Sequence, residues 1–190
     1  MIRMPQEQNL GRRLRQICAA TPAINAQIRH FAAGTVLLQA GDVATALYLV
    51  NRGCLRMIYN DGEHDITLKF FTEDQAVSSF ASFYNQVPSA FSLVCVEDVE
   101  LLELRRTQVM QMIEQRPEVL RLAMDALSKR LGEYTLLLAR AKTTPEERYQ
   151  QLVLTSPAIE QRLTQSMLAS YLGISPVSLS RMRKRLGIIK

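Results

Sequence analysis

The stretch that decides this chain lies near its end: Thr164-Gln165-Ser166-Met167-Leu168-Ala169-Ser170-Tyr171-Leu172-Gly173-Ile174-Ser175-Pro176-Val177-Ser178-Leu179-Ser180-Arg181-Met182. It predicts two short helices broken at one glycine, the pattern of a helix-turn-helix. Thr164 caps the first helix, whose apolar stripe is Leu168, Tyr171 and Leu172. Ala169 is small where the helices must approach, and Gly173 takes the turn conformation that a Cβ resists. Ser175 followed by Pro176 gives an N-cap and a first-turn proline, so a second helix starts there. Leu179, Met182 and Leu186 mark its buried face. That leaves Ser178, Arg181, Arg183, Lys184 and Arg185 to solvent or to DNA. A basic helical hairpin without DNA contact is the plainer alternative, and the number of features in register favours DNA.

Charge points the same way. Residues 161–190 carry Arg162, Arg181, Arg183, Lys184, Arg185 and Lys190 with no Asp or Glu. Residues 1–30 carry five arginines against Glu7, and with a net charge of +5 the middle of the chain holds −5. The positive field therefore sits at the ends, where phosphates would lie. Arg3, Arg12, Arg13, Arg15 and Arg29 read as a solvated helix face.

At 190 residues the chain can bury one good core and a small second one. No apolar run is long enough to span a membrane or to act as a signal peptide. Cys18, Cys54 and Cys95 are odd in number and widely spaced, which fits a reducing compartment and argues against an iron–sulfur or zinc cluster. A cytoplasmic protein with no metal and no cofactor is expected. Two histidines, no Gly-x-Ser-x-Gly, no His-Glu-x-x-His and no phosphate-cradling glycine loop argue against an enzyme. Glu97, Asp98 and Glu100 read as a solvated turn between strands.

Upstream, residues 6–31 predict one or two helices with a break at Thr21-Pro22. From Gly34 the pattern turns to strands: 35–39, 46–51, 55–60, 65–71, 91–96 and 99–104, with Asp61-Gly62 as a hairpin signal. Such spacing suggests a compact barrel or jelly roll. A short helix over 106–115 follows, then a long one from Pro117 to about Lys142. In it Leu120, Met124, Leu127, Leu131, Tyr134, Leu138 and Ala141 alternate steps of four and three, the seam of a coiled coil. Leu122, Leu136 and Leu137 widen the stripe, so one flank is expected on the barrel and the seam on a second copy of the chain. Residues 143–146 form the expected hinge and the start of the next helix, over 145–155, because Thr144 can cap and Pro145 fits the first turn. The expected units are 1–115, a barrel with flanking helices; 116–143, a dimerisation helix and hinge; and 144–190, the helix-turn-helix domain.

This order of parts resembles the cyclic-AMP receptor/Fnr (Crp/Fnr) superfamily of bacterial transcription regulators. The resemblance rests on Gly34, Gly41-Asp42, Leu47-Tyr48-Leu49-Val50, Gly53, Arg56 and Asp61-Gly62 in the barrel. In the last domain it rests on Thr164, Leu168, Ala169, Gly173, Ser175, Leu179 and Arg181. It implies an α+β fold: an N-terminal jelly-roll β-barrel of the cyclic-nucleotide-binding kind, a long dimerisation helix and a C-terminal helix-turn-helix domain. The family's β-hairpin wing is expected to be truncated or absent, because Lys190 follows Leu186 by four residues. It also implies a homodimeric, sequence-specific regulator on a palindromic double-stranded DNA operator. RNA polymerase, and an unknown small-molecule effector or none, are the further partners open to it. Arg181 is the expected base-edge reader, since guanidinium pairs bidentately with guanine. Ser175, Val177 and Ser178 lie on the same early turn, and Thr164, Arg183, Lys184 and Arg185 are assigned to phosphates. The dimer interface is expected at Leu120, Met124, Leu127, Leu131, Tyr134 and Leu138.

One departure bears on the effector. Nucleotide-binding members hold the ribose with a Gly-Glu pair and the cyclic phosphate with an Arg-Ser pair. The corresponding stretch here, residues 75–92, contains neither Glu nor Arg. Without the guanidinium a charge-assisted, bidentate phosphate contact is lost, so cyclic AMP is not the expected effector. Ser78, Ser79, Phe80, Ser82 and Ser89, with Tyr134 and Thr135, form either a pocket for a less charged ligand or a filled core. His30, His64 and the scattered cysteines give neither the family's haem pattern nor its oxygen-sensing one. The rival reading is a ligand-binding or protein-interaction signalling module whose helix-turn-helix does not bind DNA specifically.

Overall fold

The computed structural model of the chain describes residues 8–21, 24–139, 143–156 and 158–188. Among these residues the strands are β1 (Gln27–Phe31), β2 (Val36–Leu38), β3 (Ala46–Arg52), β4 (Leu55–Asn60), β5 (Asp65–Phe71), β6 (Ala76–Val77), β7 (Ser92–Cys95) and β8 (Val99–Arg105). They pair antiparallel in two four-stranded sheets, β1-β8-β3-β6 and β2-β7-β4-β5, the strand order of a jelly roll. The main core lies between the sheets, where Leu49, Val50, Leu55, Leu101 and Leu104 are fully buried. Each such side chain contributes about 1.5–3 kcal/mol of transfer free energy. The β4–β5 hairpin forms where Asp61-Gly62 placed it. Asp61 Oδ1 accepts from the amides of Glu63 and His64, and Leu55↔Phe71 through Asn60↔Asp65 set the register.

The expectation of helix across 6–31 holds for α1 (Gln8–Ala19) and fails after it. Gln27–Phe31 is strand β1, paired residue by residue with β8 from Gln27↔Glu103 to Phe31↔Val99. Its own sequence carries no strand signal, and the β8 edge imposes the conformation. Pro22 of the expected break lies outside the described residues.

Of the arginines read as a solvated helix face, Arg12 and Arg13 are exposed on α1 and Arg3 lies outside the described residues, but Arg15 is half-buried and Arg29 lies on a strand. Arg12 Nε donates to Asp74 Oδ2 at 3.0 Å, and Arg15 bonds the same carboxylate, Asn51 Oδ1 and the Val50 carbonyl. Gly11 lets α1 come this close, because a Cβ there would overlap the Asp74 carbonyl. Arg29, on β1, stacks over the Phe31 ring at 5.8 Å. The acidic turn between β7 and β8 is likewise engaged. Asp98 accepts from the Ala33 amide, Glu100 from Asn51, and Glu97 from Arg162.

A short helix, α2 (Phe80–Asn85), lies between β6 and β7, and the helices after the barrel are α3 (Arg106–Gln115), α4 (Pro117–Ala139), α5 (Pro145–Thr155), α6 (Ile159–Arg162), α7 (Gln165–Leu172) and α8 (Pro176–Arg185). Val109 and Met112 of α3 and Val119 of α4 close the main core. At 23 residues α4 is about 35 Å long. Its expected end near Lys142 lies outside the described residues, and within the expected hinge, 143–146, α5 already begins at Pro145. Thr144 and Glu147 form a capping box at the start of α5. Tyr149, Leu152, Ile159, Leu168, Ala169, Leu172, Leu179 and Met182 make a second core, to which the barrel adds Cys54 and Phe70.

Candidate nucleic-acid interface

Local chemistry sets the two helices of the turn motif. Thr164 Oγ1 accepts the Met167 amide at the start of α7, and Gly173 ends it at φ +66. Ser175 Oγ accepts the Ser178 amide at the start of α8, with Pro176 next in the chain. Gln165 Nε2 reaches across to the Pro176 carbonyl at 2.8 Å, tying the two helix starts together. Ala169, Leu172 and Leu179 are at most 1% exposed, so the two helices meet through small and apolar groups.

Packing of Leu179 and Met182 turns the other side of α8 outward. Val177 is 60% exposed, and Ser175, Ser178, Ser180, Arg181 and Lys184 are exposed beside it. Thr164 is exposed at the near end of α7. Arg185 is exposed as well, with Nη2 2.6 Å from Glu146 Oε2. Arg183 departs from expectation. Its side chain is 17% exposed, donates to Glu160 Oε1 at 2.6 Å and stacks over the Tyr149 ring at 5.7 Å. Tyr149 hydroxyl donates to the same carboxylate. Arg183 is thus part of the domain's own core, because its position on α8 points it at α5 and α6 rather than outward.

Arg162, which the sequence marked only as one charge among six, joins the helix-turn-helix to the barrel. Its Nη1 and Nη2 each donate to Glu73 at 2.9 Å, and its Nε donates to Glu97 at 2.9 Å. Burial works against the guanidinium charge, and the bonds to Glu73 and Glu97 outweigh it, so the pKa lies above the ordinary arginine value. A second contact is at the outer edge of β5. The Thr67 amide donates to Ser170 Oγ at 2.9 Å, and Ser170 Oγ donates to the Asp65 carbonyl at 2.6 Å. Phe70 and Tyr171 pack beside it with ring centroids 5.5 Å apart. Nothing local in the sequence signals these pairings.

The proposed dimer seam is half open in the single chain. Leu120, Met124, Leu131 and Tyr134 are 48–68% exposed, and Leu127 is half-buried. The side chain of Leu138 lies outside the described residues.

The effector stretch is occupied by its own hydrogen bonds. Ser78, Ser79, Ser82 and Ser89 are at most 4% exposed. Ser78 Oγ donates to the Ala46 carbonyl, Ser82 Oγ accepts the Ala44 amide, and the Ser79 and Ser89 hydroxyls lie 2.8 Å apart. Ser89 Oγ also meets the Phe91 backbone. Phe80 begins α2, unforeseen from the sequence, and stacks outward on Tyr84. Tyr134 and Thr135 are exposed on α4, where Thr135 Oγ1 donates to the Leu131 carbonyl. The four serines fit a filled core better than a pocket, and Phe80, Tyr134 and Thr135 lie outside it. A cleft of about 380 Å³ opens beside them instead, between Val36–Leu38, Asp42–Ala46 and Tyr48, and touches only Ser78 of the set.

Among the described residues, no cluster of His, Cys, Asp and Glu could hold a metal ion, and no helix is long and apolar enough to cross a membrane. The three cysteines are free and buried, and burial pushes the Cys54 thiol up to about 12.

Comparison with known proteins adds three findings. Residues 28–116 match the cyclic nucleotide-binding domain family. No curated protein is a sequence match. Among solved structures, the catabolite activator protein of Thermus thermophilus is 26% identical, with 91% of this chain and 83% of that one covered at a TM-score of 0.58. The c-di-GMP-responsive global regulator CLP of Xanthomonas campestris is 22% identical over 90% of this chain and 92% of its own, with a TM-score of 0.68. A transcriptional regulator assigned to the Crp/Fnr family from Eubacterium rectale is 19% identical over 95% and 87%, with a TM-score of 0.70.

Proposed function

We propose that this chain, whose residues 28–116 match the cyclic nucleotide-binding domain family and whose fold is that of Crp/Fnr-type regulators, is a member of that superfamily and acts as a homodimeric, sequence-specific DNA-binding transcription regulator. The observation that carries this reading is the outward face of α8, where Val177, Ser178, Arg181 and Lys184 are exposed on a helix whose other side is locked into a core. Arg181 suits guanine, and Val177 offers an apolar contact for a thymine methyl. Lys184, Thr164 and the Ser175 end of the helix suit phosphates, and Arg185 can exchange Glu146 for one.

Two copies meet along Leu120, Met124, Leu127, Leu131 and Tyr134 of α4, an apolar row that a monomer would leave in water. Two-fold pairing of the recognition helices calls for a palindromic operator. Cyclic AMP is not required, since residues 75–92 supply no Arg or Glu and the serine hydroxyls already have partners. The structures the chain resembles are regulators, in keeping with a protein that is not an enzyme. Acting on DNA, it works in the cytoplasm.

Selection from random duplexes with purified protein tests the reading. The expected product is an inverted repeat with half-sites about one helical turn, roughly 34 Å, apart. Its affinity should fall steeply with salt. Enrichment of no sequence at all would sink the proposal.

A further inference from the structure

The helix-turn-helix unit and the N-terminal helix seat on two adjacent residues of one turn. Residues 72–75 connect β5 to β6, and the turn is held by the Thr72 amide on Gln75 Oε1 and by the Asp74 amide on the Val50 carbonyl. Glu73 accepts from both terminal nitrogens of Arg162 and from the Gly53 amide. Asp74 accepts from Arg12 and Arg15, and its backbone stands at φ +66, a conformation that costs a residue with a Cβ. Gly11 of α1 lies directly against the Asp74 carbonyl.

The docked pose also leaves α8 usable. The contacts to the barrel come from Arg162, Ser170 and Tyr171, while Val177, Ser178 and Arg181 remain exposed.

We propose that the Glu73-Asp74 turn is a joint through which α1 fixes the orientation of the DNA-reading helix. Arg162 is a positioning residue in this scheme: it holds the helix-turn-helix unit against the barrel. Its effect on DNA rests on the regulator reading above; the coupling of α1 to the docked pose does not. A unit held in one pose presents two recognition helices at a fixed separation in a dimer. A loosened unit loses the benefit of engaging both half-sites together and keeps its affinity for one.

Amide hydrogen exchange in the full-length protein reads the docking without DNA. The Thr67 amide points off the edge of β5 into Ser170 Oγ, so it should lose protection when the unit swings away. Asp74→Asn keeps a side chain that tolerates the left-handed backbone and removes the charge that Arg12 and Arg15 grip. Asp74→Asn and Arg162→Gln should each speed Thr67 exchange by about tenfold or more, with the core amides of Leu49 and Leu101 unchanged. The double variant should exchange no faster than the faster single one. On the selected operator both single variants should bind about tenfold more weakly, and on an isolated half-site about as well as wild type.

A protected Thr67 in Asp74→Asn would overturn the joint. Should Leu49 and Leu101 also lose protection there, Gly11→Ala decides: it pushes α1 off the Asp74 carbonyl while favouring helix, and a Thr67 amide it leaves protected overturns the proposal as well. Faster Thr67 exchange with unchanged operator affinity would refute the positioning role. Failure of the wild type to select any operator would instead be a failure of the regulator reading, with the exchange data still deciding the joint.

Discussion

The guanidinium of Arg183 donates to the Glu160 carboxylate at 2.6 Å, inside the helix-turn-helix unit. A basic side chain of α8 is thereby committed to holding that helix against α5 and α6. The Tyr149 ring beneath it and the Tyr149 hydroxyl on Glu160 complete the cluster. Arg183→Ala should therefore cost stability, about 2–3 kcal/mol, since a partly buried carboxylate loses its partner and a ring loses its cation. Urea unfolding checks this. Lys184→Ala, one residue on and exposed, should stay within about 0.5 kcal/mol of wild type.

Arg181 and Lys184 should part company in DNA binding. Arg181→Ala is expected to weaken the best site by about 1–3 kcal/mol and to relax the preference at one base pair. Lys184→Ala should weaken specific and random duplexes alike and flatten the salt dependence. Titrations at several salt concentrations separate the two outcomes, and equal losses on both duplexes for Arg181→Ala would remove it from base reading.

Leu131 is 68% exposed in the single chain, so a charge there does not disturb the fold of one copy. In a dimer built on α4 it would bury an unpaired carboxylate, which costs far more than water exposure. Sedimentation of Leu131→Glu should give folded monomers. A variant that stays dimeric would place the interface elsewhere.

Cyclic AMP and cyclic GMP should leave the melting temperature unchanged at millimolar concentration. A ligand at a hundred times its dissociation constant would stabilise the folded state by about 2.7 kcal/mol, which a melt detects readily. A saturable upward shift would mean that Ser79, Ser89 or backbone amides release their present partners to hold a phosphate.

Acid should undock the helix-turn-helix unit before it unfolds the barrel. Burial works to raise the Glu73 pKa, and hydrogen bonds from Arg162 and backbone amides outweigh it, leaving the value below the ordinary 4.5. A depressed carboxyl pKa stabilises the contact above that ordinary value and withdraws the stabilisation as pH falls through the folded one. Tyrosine fluorescence, with Tyr171 at the junction against Phe70, should change in a step below about pH 4.5. In Glu73→Gln that step should be absent. A step of wild-type size in the variant would assign the transition to another group.

The sequence alone determined those elements whose signals are local. Thr164, Gly173 and Ser175-Pro176 fixed the limits of α7 and α8, and Asp61-Gly62 with the alternation around it fixed the β4–β5 hairpin. These devices act within three or four residues, through caps, a left-handed turn or a preset φ, so they are readable in order along the chain. Tertiary structure decided the rest. Gln27–Phe31 is a strand only because β8 lies beside it, and Ser78 and Ser82 are core because Ala46 and Ala44 present backbone groups to them. Arg162 and Arg183 look like any basic residue of a DNA-binding tail, yet Glu73, 89 positions away, and Glu160 claim them. Charge can be counted in a sequence, but its partner is chosen by distance, and distance exists only once the chain has folded.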